Sequence, residues 1–173
     1  TAEYATQYGV KKYSTRLTDS IDRARYEIAA QRWVRIADRD TGLSLVSDCK
    51  YGFSVKNGQL NMTLLRSARR PGSFVGINDE ARSREEEFND LGDHAFAFAF
   101  ALDHGDNSVP MDLAEWLNRE PENVPLSVSM PGCFLPWESA QFGVSMLRPA
   151  WSGGGILLRV YERLGKSGRL PEM

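Results

Sequence analysis

The chain has 173 residues, of which 42% are hydrophobic and 25% charged, and its net charge is -2. This length and composition are typical of a globular protein with one hydrophobic core, so we expect a single domain covering residues 1–173. The slightly acidic net charge provides no basic field to attract nucleic acid or an anionic membrane, and no apolar run approaches the roughly 20 residues of a membrane-spanning helix. We therefore predict no nucleic-acid partner and no membrane partner.

The amino-terminal region predicts strands. Tyrosines alternate with small or charged residues over 3–13. Residues 24–36 are ambiguous, because their alternation favours strand whereas their Ala and Arg content favours helix. We predict strand there, followed by a turn at DRDTG, residues 38–42. The chain starts without methionine and directly in strand-like sequence, which suggests a segment of a longer protein.

Residues 43–72 carry two strand signals around a turn. Leu43, Leu45 and Ser47 share one side of the first strand, which predicts one buried face. Asn57-Gly58 tolerates the positive φ angles of a two-residue hairpin turn. We therefore expect residues 53–55 and 59–64 to pair antiparallel.

A long polar stretch, residues 67–92, follows this hairpin. Its charge run Arg82–Glu87 predicts a solvated loop or a short helical turn. Three nearby arginines could instead receive a phosphate or an acidic sugar, and both interpretations stay open. These arginines are Arg66, Arg69 and Arg70.

The run HAFAFAFALDH, residues 94–104, is the clearest strand signal of the chain. Phe96, Phe98 and Phe100 share one face with His94, and alanines line the other face. A phenylalanine stripe at period two is typical of a core. We therefore predict a central strand of a sandwich, with its alanine face under a second layer.

Two groups of carboxylates and histidines flank this strand and raise the question of a metal. A strand of about 3.3 Å per residue would separate His94 and His104 by roughly 30 Å, which argues against one shared ion unless the chain bends between them. A cation held by Asp103, His104 and Asp106 alone remains an alternative, because hard cations accept such oxygen ligands.

The last third predicts one helix and three strands. Residues 108–125 contain one predicted helix, which Ser108 could cap, with Pro110 in its first turn and Pro121 at its end. Its apolar face would carry Leu113, Trp116 and Leu117. Strands are expected at 126–130, 141–147 and 156–161, with a glycine turn at 153–155 before the last.

Cys49 and Cys133 are too few for a disulfide framework and lack the spacing of a zinc motif. We expect free, mostly buried thiols, because unpaired cysteine behaves as a small hydrophobic residue. Free thiols are compatible with a reducing compartment, so a cytoplasmic location is expected.

Short motifs spread over nearly the whole chain carry a family resemblance. In order they are QYGV (7–10), ARYE (24–27), DCKYGF (48–53), LLRS (64–67), GDHAFAFA (92–99), SMLRPA (145–150) and GGILLRVYE (154–162). This series resembles the carboxy-terminal β domain of the family 38 glycoside hydrolases, the α-mannosidases.

The resemblance implies a mostly all-β fold, an antiparallel β-sandwich of the galactose mutarotase-like supersandwich type with one short helix. It also implies a parent enzyme that is a retaining, zinc-dependent α-mannosidase. The family's catalytic carboxylates and its zinc belong to an amino-terminal catalytic domain. We therefore assign no catalytic residue, no metal ligand and no cofactor to this segment, and we expect that catalytic domain and mannosides as its partners.

The turn of Asp48, Lys50 and Tyr51 is the candidate site for binding substrate or completing the neighbouring active site. Asp48 and Lys50 can bond sugar hydroxyls, and Tyr51 can offer a ring face with a polar tip. An Asp48–Lys50 ion pair that merely fixes the bend is the structural alternative. Trp137 and Trp151, in loops, could stack on sugar or be buried in a core or domain interface.

Two functional hypotheses follow. The chain is either the carboxy-terminal domain of an α-mannosidase or a stand-alone carbohydrate-binding β-sandwich. Fold alone does not separate them, because sandwiches have many functions.

Overall fold

The computed structural model of the chain describes residues 1–68, 88–120 and 139–170. These residues form ten strands and two helices. In chain order the elements are β1 (Ala2–Thr6), β2 (Gly9–Tyr13), α1 (Ser20–Ala24), β3 (Ile28–Ala29), β4 (Trp33–Ala37), β5 (Gly42–Ser47), β6 (Gly52–Lys56), β7 (Gln59–Met62), β8 (Phe98–Asp103), α2 (Ser108–Asn118), β9 (Phe142–Pro149) and β10 (Ile156–Glu162).

Several predicted features lie outside the described residues. They are the strand at 126–130, the charge run Arg82–Glu87, and the residues Arg69, Arg70, Pro121, Cys133 and Trp137. Arg66, the first arginine of the predicted cluster, is described and exposed.

The strands are antiparallel and form three sheets. The largest has the order β2-β1-β4-β5-β8, the second has the order β3-β6-β7, and β9 and β10 form a separate hairpin. The main core lies between the first two sheets, where Tyr4, Val34 and Leu45 of the large sheet meet Phe53 and Val55 of the small one. Two sheets packed over a shared apolar layer make a sandwich, which confirms the predicted all-β class.

The predicted hairpin is confirmed. β6 and β7 pair from Phe53 with Met62 to Lys56 with Gln59. Asn57 and Gly58 have φ angles of 50° and 76°. Positive φ at both central residues is the requirement of the type I′ turn, which matches the twist of the flanking strands.

The helix α2 is confirmed and covers the opposite face of the large sheet. Ala114 packs against Trp33 and Val46 in a second core cluster. The prediction for its apolar face was wrong in one member, because Trp116 is exposed. The predicted cap was also wrong, because Asn107 is the N-cap and Ser108 is the first helical residue, whose N–H donates to the Asp106 carboxylate at 3.0 Å.

A second helix, α1, was not predicted. Asp19 caps it by accepting a bond from Asp22 N–H at 2.8 Å. Five residues are too few to show a helical period, so the cap was the only local sign. The strand predicted over 24–36 is correspondingly wrong at its start and forms only as β3 and β4.

The prediction for β8 was wrong in two respects. Among the described strands β8 is the last of its sheet, not a central one. Its phenylalanine face is not core, since Phe98 and Phe100 remain 49% and 63% exposed. The phenylalanine face points to the same side of the large sheet as Leu45. The small sheet covers Leu45 but does not extend over the phenylalanines of β8. The alanine face is half-buried on the α2 side, as expected.

Two further predictions failed on burial. In β5 the side chains from Ser44 to Ser47 are buried, so both faces are covered instead of one. Cys49 is a free thiol as predicted, but it is exposed.

Candidate functional site

The turn after β5 is fixed from both sides by hydrogen bonds. Asp48 N–H donates to Ala97 O at 3.2 Å, and Ala97 N–H donates back to the Asp48 carboxylate at 3.2 Å. Ala30 N–H donates to Tyr51 O at 2.9 Å. The bend is therefore held to the start of β8 and to the residues preceding β4.

Each of the three predicted side chains has a different environment in this turn. Lys50 does not pair with Asp48; its Nζ lies 4.0 Å from the ring centroid of Phe96, a cation–π contact. Tyr51 is 60% exposed. The structural alternative of an Asp48–Lys50 ion pair is thus absent from the described residues, and an aromatic ring projects from a fixed backbone.

Asp48 and Cys49 influence each other's protonation. A hydrogen bond from the Cys49 thiol, aided by backbone N–H groups, lowers the pKa of Asp48 despite some desolvation. The same bond raises the pKa of Cys49. At neutral pH the turn therefore presents a carboxylate beside a protonated thiol.

The carboxylates near β8 are committed to structure and not to a cation. Asp103 is buried and bound by the Arg35 guanidinium, which also bonds Glu3 at 2.9 Å. Asp106 pairs with Lys166 at 3.2 Å, and the His104 ring nitrogen bonds Asp40 O at 3.1 Å. This argues against the hypothesis of a cation at Asp103, His104 and Asp106.

Trp151 sits at the tip of the β9–β10 hairpin and is exposed. The Arg148 guanidinium lies 4.4 Å from its ring centroid. One ring face is thus taken by a cation, and the sugar-stacking hypothesis for Trp151 stays a prediction.

Sequence reasoning missed an ion-pair group at the same end of the large sheet. Glu115 of α2 accepts Arg32 Nη1 at 2.9 Å and pairs with Arg119 Nε at 2.8 Å. Ser47 N–H donates to Arg32 O at 2.7 Å, which places this group directly beside the turn. Arg32 and Glu115 are 83 positions apart, so no local pattern could have linked them.

Comparison with known proteins shows which family this chain resembles. The fold defines a class, the antiparallel β-sandwich domains. The family model described as "Glycosyl hydrolases family 38 C-terminal domain" matches residues 1–74, which span β1 to β7 and include the whole turn. Residues 1–74 therefore match the C-terminal domain of this family, which confirms the resemblance.

The relatives carry matching names. Alpha-mannosidase G of Dictyostelium discoideum is 24% identical over 172 residues, 95% of this chain. Alpha-mannosidase 2C1 of Mus musculus is 35% identical over 98 residues, 57% of the chain, and alpha-mannosidase of Saccharomyces cerevisiae is 36% identical over 76 residues, 44% of the chain. These similarities favour the α-mannosidase hypothesis over the stand-alone binding module.

The chain covers only a small part of those relatives. It spans 14% of the Dictyostelium protein, 8% of the mouse protein and 7% of the yeast protein. Within the described residues, no helix is long and apolar enough to cross a membrane.

Proposed function

We propose that this chain acts within a larger enzyme that hydrolyses terminal α-mannosides, and that it is inactive by itself. The observation that carries the proposal is the family match across β1 to β7 together with relatives named as α-mannosidases. Retention at the sugar carbon requires two carboxyl groups about 5 Å apart. We place that pair on an amino-terminal catalytic domain.

The zinc of the parent enzyme belongs with the same catalytic domain. Within the described ranges, no three His, Cys, Asp or Glu side chains come together in a way that could hold a metal. The strongest candidate oxygen donors, those of Asp103, already bind Arg35. These residues do not fit a zinc site, and no step of the reaction is assigned to them.

The turn of Asp48, Lys50 and Tyr51 is proposed to complete the wall of the neighbouring active site. Its backbone is bonded at Asp48 and Tyr51, so the exposed tyrosine can be presented without a further loss of main-chain entropy. A phenol ring supplies an apolar face and a hydroxyl, which suits a sugar. Covering the reacting sugar would also exclude water.

An exposed apolar surface supports packing against a second domain. It consists of Leu43, Phe98, Phe100 and Leu102, which lie on one face of β5 and β8 and are all exposed. Contiguous apolar side chains on a surface mark interaction sites. We propose that the catalytic domain covers them. We further propose that residues 1–173 form one domain and that the enzyme is cytoplasmic, a location compatible with the free thiol of Cys49.

A chimera tests the proposal. This chain would replace the matching segment of the Dictyostelium alpha-mannosidase G, to which it aligns over 95% of its length. We expect the folded chimera to hydrolyse an aryl α-mannoside. Tyr51→Ala should lower kcat/KM by about tenfold. This corresponds to the loss of one contact that stabilises the transition state by about 1.4 kcal/mol.

The matched control is Tyr26→Ala, since Tyr26 is another exposed tyrosine of the same chain. It should leave kcat/KM within about twofold of the parent chimera. A folded chimera without turnover, or equal kinetics for both variants, would contradict the proposed role.

A further inference from the structure

A cleft of about 680 Å³ opens between the large sheet, α2 and the β9–β10 hairpin. Its volume lies in the range of small-molecule pockets. The β1–β2 turn forms one rim, α2 forms the floor with Ala114 and Glu115, and β10 contributes Arg159 and Tyr161 from the far side.

The cleft is rich in fixed hydrogen-bonding charges. Four arginines and two glutamates line it. Glu115 is shared by Arg32 and Arg119, which holds both guanidinium groups in place. The Arg159 guanidinium has no partner among the residues that the structure describes, so its donors are available to a ligand.

Two phenol rings flank these charges. Tyr8 stands at the rim and is 97% exposed. The Tyr161 ring lies across Gly143, where an added Cβ would be only 2.7 Å from a ring carbon. The glycine therefore leaves room for the ring against β9, and a ring that already rests on a strand loses less freedom when it packs on a ligand.

The backbone around the cleft departs from regular geometry at two points. Arg32 has φ 66°, and Trp33 N–H donates to Gln31 O at 2.7 Å across it, the pattern of a rare, strained γ-turn. In the hairpin, Ser145 is the extra residue of a bulge opposite the Arg159–Val160 step. Strain and bulges concentrate where side chains are aimed at a function.

The cleft adjoins the turn of Asp48, Lys50 and Tyr51. Arg32 O accepts Ser47 N–H, and Asn118 Nδ2 donates to Ser47 O at 3.3 Å. Ser47 is the residue immediately before Asp48, so α2 and the strained Arg32 both contact the base of that turn.

We infer that this cleft binds a saccharide, with the arginines and Glu115 bonding its hydroxyl groups and the rings of Tyr8 and Tyr161 stacking on its apolar faces. Planar guanidinium groups match pairs of neighbouring oxygen atoms, and aromatic rings with polar edges match a sugar ring. The saccharide class is argued from the cleft alone, whereas the choice of mannose as the sugar rests on the proposed function.

A titration of the chain with α-linked mannotriose, followed by protein NMR, tests the inference. Tyr8→Ala and Arg159→Gln change exposed side chains and leave the core intact. Each should weaken binding by about fivefold or more, the size of one lost contact. Tyr26→Ala and Arg39→Gln, exposed positions that do not line the cleft, should stay within about twofold.

The outcomes separate this inference from the role of the turn. Tyr51→Ala should leave mannotriose affinity within about twofold, although it lowers turnover of the chimera. Absence of mannotriose binding at about 20 mM, a limit weaker than ordinary ligand affinities, would overturn the inference. So would equal affinities for the cleft variants and their controls, or binding of inorganic phosphate without mannotriose.

Discussion

Arg32 and Arg35 lie three positions apart on either side of the start of β4, yet they occupy opposite environments. The Arg35 side chain is 4% exposed and bonds the buried carboxylates of Glu3 and Asp103. The Arg32 side chain is 44% exposed and reaches Glu115 at the mouth of a cleft. Both arginines pair with carboxylates, so the two groups differ in their burial and not in their chemistry.

The difference separates a structural cluster from a candidate binding cluster. Around Arg35 each of the three guanidinium nitrogens makes a hydrogen bond, to Asp103, to Glu3 and, at 3.3 Å, to Gly105 O. The hydrogen bond to Asp103, against the opposing effect of burial, raises the pKa of Arg35. Around Arg32 one carboxylate serves two guanidinium groups, and donors remain directed to solvent. A buried pair of this kind holds elements together, whereas an exposed one contributes little to stability and is open to ligands.

The largest effect is expected from Arg35→Met. Removing the guanidinium leaves the buried Asp103 carboxylate without its cation and Glu3 with Lys12 alone, which costs about 3–5 kcal/mol. Arg32→Met, the matched control, should cost about 1 kcal/mol or less because that pair is exposed. Urea unfolding monitored by circular dichroism measures both, and equal losses would break the distinction between the two arginines.

An intermediate effect is expected from acid. Burial alone would raise the pKa of Glu3, but hydrogen bonds from Lys12 and Arg35 outweigh it and lower the pKa. A lowered folded-state pKa contributes stability above the unfolded pKa of about 4.3 and loses it as pH falls through the folded value. Glu3→Gln lacks this contribution, so its deficit in urea midpoint should shrink between pH 7 and pH 3. A constant deficit would mean that Glu3 adds no proton-linked stability.

The smallest effect concerns the strained backbone at Arg32. An L-residue at φ 66° costs about 1–2 kcal/mol, which glycine does not pay. Arg32→Gly should therefore be about 1 kcal/mol more stable than Arg32→Ala, although both lose the Glu115 pair. At Lys12, an exposed strand position, the order should reverse, since glycine weakens strands. The same order at both positions would exclude strain at Arg32.

Local features were predictable from the sequence. The β6–β7 hairpin follows from Asn57-Gly58, whose positive φ requirement is met within two residues. The helix α2 follows from periodicity and from Pro110, which is buried in its first turn. Both depend on chemistry within about ten positions of the chain.

Features set by long-range packing were not predictable. The alternation of Phe98 and Phe100 with alanines correctly divided the residues of β8 between two faces, but it could not tell which face another layer would cover. The clusters of the candidate site depend on partners far apart in sequence: Arg35 meets Asp103 across 68 positions. From the sequence alone Asp103 was a candidate metal ligand, whereas in the fold its carboxylate binds the Arg35 guanidinium.

The most direct test of the account is hydrolysis of an aryl α-mannoside by this chain alone, with zinc added and then chelated. The account predicts no turnover in either condition, because the catalytic carboxylates and the zinc are placed on another domain. Zinc-dependent turnover would contradict this prediction, and Asp48, Asp103 and Asp106 would then be the candidate catalytic carboxylates of this chain.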